Sequence, residues 1–121
     1  MRENILDYEW ELGEEKIRLQ VGSYMQNRRL YIRMLLEDQE CWESFADLTV
    51  NIPYAPAEFN EAYIDHNCSK DKIRFIKQHK LGRVLKETVS SGFCTFKKVA
   101  FDMNRLMELD PQGVEAYLNA V

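Results

Sequence analysis

Ala62-Tyr63-Ile64-Asp65-His66-Asn67-Cys68 is the stretch at which the chain changes from a strand pattern to a helix pattern. Ala62, Ile64, His66 and Cys68 share one phase of a period of two, so an extended chain puts them on one face. Such a face can serve a core or a metal. Before it the sequence reads as sheet, and after it a basic helix opens at Ser69.

Towards the N-terminus, Ala46, Leu48, Val50 and Ile52 alternate with Asp47, Thr49 and Asn51. Pro53 ends this strand because it cannot donate to a ladder. Leu30, Ile32, Met34 and Leu36 mark another strand, which Asp38-Gln39-Glu40 breaks. Leu6, Tyr8, Trp10 and Leu12 alternate with acids, Gly13-Glu14 supplies a turn, and Ile17, Leu19 and Val21 alternate with Lys16, Arg18 and Gln20. These two runs predict a hairpin in which Asp7, Glu9 and Glu11 lie beside Lys16 and Arg18, opposite charges that help set the register. Strands joined by such short connections predict a meander.

Towards the C-terminus the period lengthens. Ser69 is an N-cap, Ile73, Ile76 and Leu81 lie near helical spacing, and Gly82 reads as the stop. Val84 to Val89 reads as a short strand, Ser90-Ser91-Gly92 as a turn, and Phe93 to Phe101 as a more buried strand. Asp102 to Leu109 predicts a short helix, and Asp110-Pro111 opens another with the acid as cap and the proline at the first position. The expected fold is α+β, an antiparallel β-meander sheet packed with two or three short helices, in a single domain over 1–121.

With 121 residues, 45% hydrophobic and 30% charged, the composition is that of an ordinary globular domain. There is no apolar run near eighteen residues and no basic-then-apolar leader, which points to the cytoplasm and away from membranes. Cysteines at 41, 68 and 94 are odd in number and widely spaced, which fits a reducing compartment. The net charge of −4 is unevenly spread. Residues 1–68 carry 6 Lys+Arg against 14 Asp+Glu, net −8, and residues 69–121 carry 10 against 6, net +4. Asymmetry of this kind marks electrostatic partner surfaces.

Three constellations carry candidate chemistry. His66 and Cys68, two apart on a strand, with Cys94 and His79, have the ligand types of a structural tetrahedral zinc, although the spacing matches no standard finger. Lys70, Lys72, Arg74, Lys77 and Lys80 give the helix a basic face, which would suit phosphates; a solvated helix face is the commoner origin of such a run. Asp7, Glu9, Glu11, Glu14 and Glu15 make the N-terminal hairpin acidic enough to steer a basic partner. No G-x-S-x-G elbow, phosphate loop, dinucleotide fingerprint or H-E-x-x-H occurs, so the chain is not expected to be an enzyme.

Arg18 to Val21, Tyr24, Leu30 to Glu37, Ala46-Asp47-Leu48-Thr49-Val50-Asn51, Ala62-Tyr63-Ile64-Asp65 and Ser91-Gly92-Phe93-Cys94-Thr95 form a recognisable pattern. It resembles a family of small uncharacterised proteins carried by conjugative and other mobile elements of Gram-positive gut bacteria. The likeness runs from the first strand to about Asp102. It implies a setting more than a chemistry: mobile elements carry proteins that block host defence, and some such cargo looks like anti-CRISPR inhibitors. The expected function is therefore inhibition of an RNA-guided CRISPR nuclease by direct contact. The alternative is a nucleic-acid-binding accessory protein of a mobile element, using the basic helix 70–80.

Overall fold

The structure, a computed structural model, describes residues 5–38, 41–65 and 69–120. Strands β1 (Ile5–Trp10), β2 (Gly13–Ser23), β3 (Leu30–Asp38) and β4 (Cys41–Asp47) form one antiparallel sheet in the order β1-β2-β3-β4. Strands β5 (Thr49–Val50), β6 (Glu61–Ile64), β7 (Gly82–Ser91) and β8 (Cys94–Phe101) form a second antiparallel sheet in the order β5-β6-β8-β7. Helix α1 (Ser69–Gln78) joins β6 to β7, and α2 (Met103–Leu109) and α3 (Pro111–Ala120) follow the last strand. The fold is α+β, and its first sheet is a meander whose first three strands are the expected ones and whose fourth, Cys41–Asp47, starts earlier than the strand expected over 46–52.

Alternation builds the core. Leu6 and Tyr8, then Ile17, Leu19 and Val21, then Leu30, Ile32 and Met34 all face inward from the first sheet. They meet Ala62, Ile64, Val99 and Phe101 from the second sheet and Phe75, Ile76, Leu106, Leu109, Val114 and Tyr117 from the helices. The first sheet curls enough for Trp10 of β1 and Phe45 of β4, strands from its opposite edges, to meet edge to face at 5.2 Å.

The expected strand over 46–52 is two strands, one in each sheet. Asp47 still pairs with Arg33, and the Leu48 amide donates to the Ile32 carbonyl at 3.0 Å. The Thr49 hydroxyl then accepts from the Ile32 amide at 3.1 Å and meets the Tyr24 hydroxyl at 3.0 Å. A side chain thus completes the pairing of β3 while the main chain leaves for Ile64 in the other sheet. Leu48 and Thr49 are both buried for this reason, and a period of two cannot describe them.

Two turns sit two residues before the place that glycine alone would give them. Trp10 faces Gly13, so the β1–β2 loop is Glu11-Leu12, with Gly13 at φ +137° opening β2. Helix α1 ends before Gly82. Its left-handed residue is Lys80 at φ +56°, with the Leu81 amide bonded to the Ile76 carbonyl (2.9 Å) and the Lys80 amide to the Lys77 carbonyl (3.3 Å), the Schellman pattern. Gly82 is needed for packing instead: a Cβ there would lie 2.6 Å from the Ala100 carbonyl oxygen on β8. Asp110 caps α3 as expected and also accepts from the Val21 amide of β2 at 2.8 Å, while Asp102, expected as the first residue of α2, is its cap.

Candidate functional site

β1 is an edge strand, and α1 closes part of that edge. His79 Nε2–H donates to the Asp7 carbonyl at 2.7 Å, and the Arg74 guanidinium donates to the Glu9 carbonyl at 3.1 Å. The His79 ring also meets Phe75 edge-on at 4.9 Å, and its own carbonyl accepts from Arg105 at 3.0 Å. This histidine ties α1 to β1 and α2.

Cys94 lies at the opposite end of the β7–β8 hairpin. It pairs with Ser91 beside the Gly92-Phe93 loop, whereas His79 precedes Gly82, which pairs with Phe101. The 10 residues of β7 separate them, roughly 30 Å at 3.3 Å per residue. The structure therefore does not bring His79 and Cys94 within reach of one tetrahedral ion. His66 and Cys68 lie outside the described residues. Among the described residues no three His, Cys, Asp or Glu side chains converge as a metal site.

The basic helix residues divide into three kinds. Lys72 does not belong to the solvent face: it is 2% exposed, and its ammonium pairs with Asp65 at 3.0 Å. Phe75, Ile76 and His79 follow it at i+3, i+4 and i+7, so the helical period itself puts position 72 on the inward stripe. Arg74 is exposed but engaged, by Asp71 at 2.8 Å and by the Glu9 carbonyl. Lys70, Lys77 and Lys80 are exposed and, among the described residues, have no ion-pair partner. Lys77 and Lys80 line an open groove of about 850 Å³ together with Arg83, which opens β7 just past the helix.

The acidic hairpin sorts by strand face. Asp7 lies opposite Lys16 and is ion-paired with it, and the hydrogen bond from Lys16 holds the Asp7 carboxyl below its ordinary value. Glu9 lies directly opposite Glu14, both exposed, and Glu11 sits in the loop between them. Glu15 is half-buried on the core-facing phase with Ile17 and does not join them. The register expected from opposite charges holds at Asp7–Lys16 and gives way to like charges one pair nearer the tip. Counting outward from a two-residue loop would have placed Glu9 on Glu14.

Residues 18–121 match a family model described as a domain of unknown function, DUF4313. The chain belongs to the DUF4313 family. No curated protein matches it, and no solved structure matches it. The matched part of this DUF4313 protein includes α1 and the groove, while Glu9, Glu11 and Glu14 precede it. No helix among the described residues is long and apolar enough to cross a membrane.

Proposed function

We propose that this protein is a binding protein of anti-defence, anti-CRISPR-like type that inhibits an RNA-guided nuclease by direct contact. The observation that carries the reading is the pairing of Glu9 with Glu14. Like charges directly opposite on adjacent strands destabilise a hairpin, and solubility does not require them to face each other. A local rule broken at an exposed tip is characteristic of a surface kept for a partner. With Glu11 in the loop, the tip presents three carboxylates at the end of the β1–β2 hairpin, without a cation partner among the described residues.

The partner that such a tip fits is a basic channel that otherwise holds nucleic acid. Carboxylates replacing phosphates there would occlude the path of target DNA. The resemblance to mobile-element cargo supports the choice of a defence nuclease as owner of that channel. Target-DNA cleavage by single-protein RNA-guided nucleases, measured with and without the protein and paired with gel filtration, tests the reading. Protection with co-elution is the expected result. Unprotected DNA and separate peaks across several such nucleases would overturn it.

A further inference from the structure

We infer a second site, independent of the acidic tip: the groove between the end of α1 and the start of β7 binds the phosphodiester backbone of a single nucleic-acid strand. Lys77, Lys80 and Arg83 line it, with Asn60, Gly82 and Asp102. All three cations are exposed, and none has an ion-pair partner among the described residues. Asp102 is the acid in this set. Its Oδ1 is engaged by the Asn104 and Arg105 amides at 3.0 and 3.2 Å as the cap of α2, which directs it to the helix end.

Two features distinguish this groove from an ordinary solvated surface. A lysine in the last turn of a helix complements the dipole, and that alone accounts for Lys77. It does not account for Lys80, which holds a left-handed conformation where glycine costs nothing, nor for Arg83 on a different element. The basic surface also continues along the helix. Lys70 and Lys77, both exposed and without an ion-pair partner among the described residues, stand roughly 10 Å apart along the helix at about 1.5 Å per residue beside a second shallow hollow, with the Asp71-paired Arg74 between them.

The hollow is shallow and open, so its cations reach the phosphates of one backbone, and among the described residues no element projects from it to read base edges. Among the described residues no aromatic side chain lines the groove, so bases find no stacking platform there. Recognition is therefore of phosphate and is indifferent to sequence. Three neutralised phosphates give a salt slope of about −2, a loss of roughly twentyfold in affinity between about 50 and 200 mM salt.

Fluorescence anisotropy of the full chain with a labelled single-stranded oligonucleotide, titrated at several salt concentrations, tests the site. Binding with that slope is expected, and Lys77→Ala/Lys80→Gly/Arg83→Ala should weaken it at least tenfold and flatten the slope. Lys80→Gly removes charge while relieving the backbone, so this variant is not expected to lose its fold. Lys86→Ala/Lys97→Ala, which removes exposed charge away from the groove, should bind as the parent does. No binding at the lowest salt, or equal loss in both variants, would overturn the assignment.

Discussion

Asp65→Asn leaves the Lys72 ammonium buried without its counter-charge. The expected cost is about 3 kcal/mol, because an unpaired buried ion is penalised far more than a pair is rewarded. Lys72→Met in the same background should recover most of the loss, since an apolar side chain of similar length needs no partner. Urea unfolding of the single and double variants measures both effects; equal stability of all three proteins would contradict this role. The Glu61–Lys98 pair, at 3.0 Å, makes stability depend on pH. Burial raises the Glu61 carboxyl, but hydrogen bonds from the Glu58 amide and Lys98 outweigh it and leave the group below its ordinary 4.5. Its contribution is therefore present above about that pH and lost as pH falls through the folded value. Burial lowers Lys98, and the bond to Glu61 outweighs this and leaves it above 10.5, so its contribution is lost as pH rises through the folded value. Tyr24, raised chiefly by burial to about 12, adds to the alkaline loss, because its phenol ionises first in the unfolded chain. Urea midpoints should form a plateau from about pH 5 to 10, and Glu61→Gln should lower the plateau and flatten its acid limb; an unaltered acid limb would contradict the pairing.

At the scale of elements, the end of α1 gives a pair of opposed predictions. Lys80→Gly should raise stability by about 1 kcal/mol, because glycine adopts the left-handed cap without the clash of a Cβ. Gly82→Ala should lower it by about 2 kcal/mol, because the methyl would enter the β7–β8 backbone contact. Thermal unfolding decides both, and a stabilised Gly82→Ala would return that glycine to the role of helix stop. The same few residues show what the sequence could and could not convey. Alternation identified β1, β2 and β3 because each is buried on one face only, and the acid-proline pair at 110–111 marked α3 because capping is local chemistry. The helix stop was assigned to Gly82 because a glycine needed for close approach and one needed for a left-handed turn look alike in sequence. The division of residues 46–52 between two sheets was hidden for a different reason. It depends on the Thr49 hydroxyl meeting the Ile32 amide, a contact between residues far apart in the chain.

For the whole molecule, the charge asymmetry visible along the chain sorts into carboxylates at the β1–β2 tip and cations at the junction of α1 and β7, with Arg74 of α1 bonded to the Glu9 carbonyl between them. The sequence showed the charges but not their partners. Lys72 is neutralised internally by Asp65, Asp7 by Lys16 and Arg74 by Asp71, so counting charges overstated both surfaces. Arg83 was missed because it lies past the helix, although a cation immediately after a basic helix is a signal that could be read. Charge reversal at Glu9 tests the acidic tip as a partner surface. Glu9→Lys places a cation opposite Glu14, which should stabilise the hairpin by roughly 0.5 kcal/mol. Inhibition of target-DNA cleavage by a susceptible nuclease, titrated with the parent and with Glu9→Lys at low and at physiological salt, separates partner binding from folding. The expected result is a better-folded protein that inhibits at least tenfold less well, with the parent's advantage shrinking as salt screens the encounter. A Glu9→Lys protein that inhibits as strongly as the parent at both salt concentrations would contradict it.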